Sequence, residues 1–293
     1  MRNPAPHASV PTSSALGLRA QDLQGKVALV TGASRGIGRA ISLHLFSRGA
    51  SILATCSSLS SMHHIESLKY EAMQQCREPN RDGTPKIVGV AANLLSPEFP
   101  TIIANKARDA FDGKLNIIVN NANYVDFRSM GELDAEYVQK QLMGNVQSLV
   151  LLMDILFAKR YIQPKSRIIN ISSEASRTPL PFPGFMLYAA TKSAMESLTR
   201  SWADILSQDE RTFGTTVNSL AVGATATLSY IESHSPQDQE SALQVLRDGQ
   251  SVHNGCGRPE DIANIAGLVA SEEAHWINGS VVAANGGGTH KIL

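Results

Sequence analysis

Two side chains with complementary acid-base chemistry stand four residues apart in the stretch Tyr188-Ala-Ala-Thr-Lys192. On a helix that spacing places a phenol and an ammonium on one face. A free tyrosine titrates near pH ~10, and a fixed positive charge beside it favours the phenolate, so the pair suits proton exchange near neutrality. The same spacing also describes a packed tyrosine beside a solvated lysine, and only the surroundings decide between the two. Ser173 lies just past the run Ile168-Ile169-Asn170-Ile171 and offers a hydroxyl at a strand end, to a reacting carbonyl or to the cap of a turn. Asn145 falls mid-helix, a place that disfavours Asn unless its side chain has bonding work in a site or in packing.

The elements that must position these groups follow from the hydrophobic pattern. From Gly25 onward, short apolar runs alternate with longer amphipathic segments, as in a parallel sheet covered on both faces by helices. The spacing predicts strands near 26–31, 51–55, 86–91, 115–119, 166–172, 213–220 and 280–284. Helices are expected near 37–48, 60–77, 97–112, 132–160, 186–208 and 260–271. No repeat or second core interrupts the series.

The first strand runs into its helix through Val30-Thr31-Gly32-Ala33-Ser34-Arg35-Gly36-Ile37-Gly38. Glycines at Gly32, Gly36 and Gly38 let the backbone turn and approach a pyrophosphate, while the helix start offers free N–H groups and partial positive charge. The spacing is G-x-x-x-G-x-G rather than G-x-G-x-x-G. Enzymes using NAD usually offer an acid to the ribose after the second strand, but here that strand ends Thr55-Cys56-Ser57-Ser58. Arg35, inside the turn, can reach a 2′-phosphate, so the expected cofactor is NADP(H), held by Gly32, Ser34, Arg35, Gly36, Ile37, Gly38 and Ser57. The fold class is therefore expected to be α/β: a Rossmann-type doubly wound parallel sheet of seven strands, with helices on both faces and ligands beyond the strands' carboxyl ends. A single domain would span 25–293, preceded by a disordered tail over 1–24, where Pro4, Pro6 and Pro11 alternate with serines and no period is visible.

Composition narrows the partners. The 293 residues are 43% hydrophobic, enough for one substantial core, and 26 basic residues balance 26 acidic ones. Neither nucleic acid nor a membrane surface is suggested by that balance. Cys56, Cys76 and Cys256 are odd in number and form no CxxC, which fits a reducing compartment better than a disulfide framework or a zinc site. His63-His64 sits in a polar helix without a ligand set, so no metal is expected. The apolar run 148–158 is short for a bilayer and carries Asp154, no signal-peptide core or peroxisomal tripeptide is present, and a cytoplasmic enzyme is the default.

Read in chain order, the motifs are Thr31 to Gly38, Asn120-Asn121-Ala122, Asn145, Ser172-Ser173, Tyr188 with Lys192, and the turn Gly257-Arg258-Pro259-Glu260-Asp261. In this order they resemble the short-chain dehydrogenase/reductase family over nearly everything from Gly25 to Gly287. The resemblance implies that Tyr188 donates a proton to the substrate carbonyl, and that Lys192 binds the nicotinamide ribose and lowers the Tyr188 pKa. It further implies that Ser173, rather than Ser172, hydrogen-bonds the carbonyl, and that Asn145 holds a water relaying protons through Lys192. Cofactor contacts from Asn93, Asn121 and Thr227, and a homo-oligomer pairing helices 132–160 and 186–208 as dimer or tetramer, are implied likewise.

Departures from the family pattern are Asn123 for a glycine, Asn93 for an acid near the adenine, Val222-Gly223 for Pro-Gly, and a lengthened segment between Ser173 and Tyr188. That segment holds Pro179, Pro181 and Pro183 among Leu180, Phe182, Phe185 and Met186, and is expected to form one wall of the substrate site, although its apolar residues could equally close the core. A mobile lid over 224–250, broken at His234-Ser235-Pro236, would form the other. Tyr124 and Arg128 fit either substrate or surface roles, and Glu174 and Arg177 flank Ser173. An apolar pocket implies a bulky hydrophobic carbonyl substrate or its alcohol. Three classes follow: an NADPH-dependent carbonyl reductase; a non-redox isomerase, dehydratase or cyclase on the same fold; and a non-catalytic nucleotide-binding scaffold, which the full Ser, Tyr, Lys and Asn set disfavours.

Overall fold

The computed structural model describes residues 21–74, 84–177, 183–227 and 256–288. Seven strands, β1 (Val27–Val30), β2 (Ser51–Cys56), β3 (Ile87–Ala91), β4 (Leu115–Asn120), β5 (Ile162–Ser173), β6 (Thr216–Val222) and β7 (Val281–Ala284), form one sheet. Their order is β3-β2-β1-β4-β5-β6-β7 and every pair is parallel. The chain winds outward from β1 to β3 and then returns to place β4 on the other side of β1. A crevice opens at that reversal beyond the strands' carboxyl ends, where ligands bind in such sheets.

The helices are α1 (Gly36–Ser47), α2 (Met62–Gln74), α3 (Phe99–Phe111), α4 (Ala135–Leu142), α5 (Ser148–Ala158), α6 (Met186–Gln208) and α7 (Pro259–Val269). They bury both faces of the sheet, which explains why the strands read as unbroken apolar runs. Alternation along each strand divides the core in two. Ala28 and Val30 of β1 and Ile52 and Ala54 of β2 pack with Ile41 and Leu45 of α1 and Ile262 of α7. Leu29 and Leu53 point the other way, among Ile103 of α3, Leu152 of α5 and Met195 of α6.

The helix expected over 132–160 differs from expectation in two ways. Asp134 caps it, its carboxylate accepting the Tyr137 N–H at 2.7 Å, so α4 starts at Ala135. A π-helical turn, Met143–Gln147, then interrupts it and α5 begins at Ser148. Such turns insert one residue and recur at functional sites. Together, Ala135–Ala158 is long and apolar enough by composition to cross a membrane, but Leu149, Leu152, Met153 and Leu156 lie in the second core. It is a core helix.

Two boundaries also move. Residues 22 and 23, assigned to the tail by the sequence, make folded contacts: Leu23 is buried in the first core and Asp22 pairs with Arg48. Strand β6 starts at Thr216 because Gly214, with φ of 76°, turns the chain just before it. The remainder of the expected tail lies outside the described residues.

Candidate active site

The carboxyl ends of β5 and β6 stand side by side, with Ser173 opposite Val222. At that edge the Ser173 hydroxyl accepts the Ala175 N–H at 3.2 Å, capping the short 3-10 turn Glu174–Ser176, and faces the Tyr188 phenol. Of the two expectations for this serine, the turn cap is the one the structure shows. Ser172 has a different partner, donating to Glu196 at 2.8 Å.

Tyr188 and Lys192 share one face of α6, as their spacing requires. Lys192 is only 1% exposed, donates from Nζ to the Ile171 carbonyl at 2.8 Å, and lies 5.5 Å from the centre of the Tyr188 ring. Burial pulls its ammonium down to about 8, against the attraction of Glu196. Burial also pushes the Tyr188 phenol up to about 12, against the opposing influence of the nearby Ser173 hydroxyl. The expected lowering of the phenol by its lysine neighbour is thus reversed in the protein chain itself, because loss of water outweighs every other influence. The consequence is a phenol that stays protonated at neutral pH, the form a proton donor needs.

Asn145 sits in the π-helical turn, buried, with its side chain committed on both sides. Its Oδ1 accepts the Tyr124 N–H at 2.7 Å, and its Nδ2 donates to the Tyr124 carbonyl at 2.9 Å and to Gln141 Oε1 at 3.0 Å. Gln141 in turn donates to the Asp126 carbonyl at 2.5 Å. The bonding work that a mid-helix Asn requires is here the fastening of the loop after β4.

On the nucleotide side, Gly32 and Gly36 hold φ of 66° and 56°, in the left-handed region that suits glycine. A Cβ on Gly38 would lie 2.3 Å from the Gly32 carbonyl oxygen, so the turn closes only without a side chain there. Arg35, extended and exposed, precedes α1 and makes no side-chain cap, leaving the first turn of N–H groups without one. The Asn121 amide donates to the Thr31 and Gly32 carbonyls at 2.8 and 3.1 Å, so its N–H groups shape the cradle. Ile37 packs on the first core and brings only its backbone to the turn, which Ser34 lines from a half-buried position. Thr227 approaches closely, its methyl 3.4 Å from where a Gly36 Cβ would stand. Ser57 is exposed past β2, and Asn93 is exposed past β3 with its Oδ1 accepting the Leu95 N–H at 3.0 Å. A glycine cradle, an uncapped helix start, an exposed arginine and a carboxylate-free β2 end fit a dinucleotide bearing a 2′-phosphate.

The substrate side is aromatic. Phe127 and Phe185 stack with ring centres 4.2 Å apart, and each meets Tyr188 edge-on at 5.9 Å. Met186 is exposed beside them. Leu180, Phe182 and residues 228–250 of the expected lid lie outside the described residues. Arg128 pairs with Asp134 at 2.6 Å and covers the Tyr137 ring, a clamp on the loop after β4. Sequence reasoning did not select Phe127, a loop residue without periodic context, or Glu196, whose place one helical turn beyond Lys192 was a usable signal.

The profile of the short chain dehydrogenase family matches residues 26–238. The chain belongs to the short-chain dehydrogenase family. It is 33% identical over 283 residues to a short chain dehydrogenase of Penicillium thymicola, covering 95% of this chain and 97% of that protein. A hydroxynaphthalene reductase of Aspergillus fumigatus is 32% identical over 266 residues, 88% of this chain and 90% of that one. Among solved structures, an angucycline C-6 ketoreductase with bound NADP superposes with a TM-score of 0.78 at 26% identity, covering 92% of this chain and 98% of that one. Two departures of this short-chain dehydrogenase have a structural answer. Among described non-glycine residues, positive φ occurs at Asp112, Arg160 and Lys165, so Asn123 needs no left-handed backbone. Val222 is buried in register with Ala284, and a Cβ on Gly223 would lie 2.6 Å from that of Asn285, so the backbone passes tightly there.

Proposed function

We propose that this short-chain dehydrogenase is an NADPH-dependent reductase of a bulky hydrophobic ketone, or the dehydrogenase of the corresponding alcohol. The observation that carries the reading is the protonated Tyr188 phenol facing Ser173 at the strand edge, with Lys192 on the same helix face and the Phe127–Phe185 stack as a wall. Gly32, Ser34, Arg35, Gly36, Ile37, Gly38, Ser57, Asn93, Asn121 and Thr227 would hold NADP(H), with Arg35 at the 2′-phosphate. When bound, the nicotinamide supplies the hydride to the carbonyl carbon. Tyr188 gives its phenolic proton to the carbonyl oxygen, so that C=O becomes CH–OH. Ser173 donates to the same oxygen while negative charge builds there. The Lys192 ammonium stands close enough to stabilise the phenolate that remains, and Asn145 keeps the adjoining loop in place.

Flat aromatic side chains at the mouth favour a substrate with rings of its own. Two relatives are named for reducing a hydroxynaphthalene and the C-6 keto group of an angucycline, which supports a secondary metabolite over a sugar or charged metabolite. Leu142, Leu151 and Ile205 expose apolar side chains on α4, α5 and α6, which supports a homo-oligomer through those helices. A cytoplasmic setting accords with the free thiols of Cys56 and Cys256. Turnover of a ketone panel with NADPH and NADH tests the reading: NADPH loss matched by alcohol formation supports it. Product without NADPH loss would point instead to isomerase, dehydratase or cyclase chemistry, and NADPH binding without turnover to a scaffold.

A further inference from the structure

Glu196 is 3% exposed on α6, one turn beyond Lys192, and the chemistry above does not use it. A carboxylate buried so deeply is costly unless its oxygens are bonded. Besides attracting the Lys192 ammonium, Glu196 accepts hydrogen bonds, among the described residues, from the segment that carries Ser173. Oε1 accepts Ser172 Oγ at 2.8 Å and Ser176 Oγ at 2.6 Å, and Oε2 accepts Arg177 Nε at 2.9 Å. These donors sit on both sides of Ser173, one before it and two after it. Ser176 Oγ also lies 2.7 Å from the Ser173 carbonyl, so its single proton is shared between that oxygen and the Glu196 carboxylate.

Tyr188, Lys192 and Glu196 recur every four residues on one face of α6. One rigid helix therefore carries the phenol, the ammonium, and a carboxylate bonded to either flank of the serine that the phenol must meet. Charge-assisted bonds of this kind are shorter and roughly twice as strong as neutral ones, which suits them to fixing a position. We propose that Glu196 is a positioning residue that sets Ser173 against Tyr188 by holding both flanks of the β5 end to α6. The role rests on the reductase reading, in which Ser173 and Tyr188 act on one carbonyl oxygen. Through Arg177 the same carboxylate also anchors the start of the segment expected to wall the substrate.

The test uses the full chain with NADPH and two aryl ketones, acetophenone and 1-tetralone, and follows kcat, NADPH affinity and melting temperature. Glu196→Ala is expected to lower kcat by about 10- to 100-fold, the cost of misplacing a donor by roughly 1 Å, with NADPH affinity within about twofold. Glu196→Gln, which keeps an acceptor oxygen for the serines, should recover most of that loss, and it keeps the test open should the alanine variant fail to fold. In a Ser173→Ala background, Glu196→Ala should cost less than about threefold more, because the group it positions is gone. An undiminished loss in that background, a kcat within about twofold of wild type, or a defect confined to NADPH binding would overturn the proposal. Wild-type protein that turns over neither ketone would count against the reductase reading first, whereas active wild type with additive variants would count against Glu196 alone.

Discussion

The Ser173 hydroxyl faces the Tyr188 phenol across the gap between the β5 end and α6. Two hydroxyl groups thereby come together, although one comes from a strand edge and the other from a helix 15 residues later in the chain, and the proposed reduction places the carbonyl oxygen between them. What separates this pair from a packed tyrosine and a turn-capping serine is its company: a buried ammonium on the same helix face, an open glycine cradle at the neighbouring strand ends, and an aromatic wall.

The electrostatics of the pair make stability depend on pH with a definite sign. Lys192 holds its proton less tightly folded, at about 8, than at its ordinary 10.5. Its contribution to stability is therefore complete above 10.5 and is lost as pH falls through 8. Tyr188 holds its proton more tightly folded, at about 12, than at its ordinary 10. Its contribution is complete below 10 and is lost as pH rises toward 12. Denaturant midpoints of wild type and Lys192→Met, compared across pH 7 to 10.5, should show the wild type gaining on the variant as pH rises. A constant difference would mean that Lys192 titrates alike in both states.

Arg35 sets the choice of nucleotide in this account. Arg35→Ala should raise the KM for NADPH by about 10- to 100-fold, the loss expected for one charge-assisted phosphate contact, and leave that for NADH nearly unchanged. Steady-state kinetics with both cofactors measures the ratio, and equal effects on the two would remove Arg35 from the 2′-phosphate.

Phe127 is 44% exposed yet stacked on Phe185 and edge-on to Tyr188, a placement that favours a role at the site mouth over one in the core. Phe127→Ala should raise the KM for bicyclic aryl ketones by about tenfold, the value of an aromatic contact of roughly 1.5 kcal/mol, with little change for small aliphatic ketones and little in melting temperature. A substantial drop in melting temperature with unaltered KM would show that the stack serves packing.

Much of this architecture was legible because strands buried on both faces leave continuous apolar runs, as in Ile117-Ile118-Val119 of β4 and Ile168-Ile169 of β5. The glycine turn was legible because glycine best suits the positive φ of Gly32 and Gly36, and the closeness at Gly38 leaves no room for a side chain. The π-helical turn at Met143–Gln147 was not, since the apolar period runs through it and the bonds that its Asn145 makes reach the distant Tyr124 loop. Phe127 gave no local signal, because a loop side chain acquires its meaning only when Phe185 is folded against it. Leu23 was hidden for a related reason: one apolar residue in a polar stretch has no period, and the first core alone gives it a place. The sense of the Tyr188 shift was also misjudged from the pair alone, because burial is a property of the fold and not of the spacing.

The most direct test of the account is NADPH consumption and alcohol formation by Tyr188→Phe beside wild type, with NADPH affinity measured on both. Removing the hydroxyl should cost about 100- to 10,000-fold in kcat, the range for a lost general acid, while NADPH still binds with near wild-type affinity. Reduction that survives within about threefold in the phenylalanine variant would contradict the assignment of Tyr188 as the proton donor.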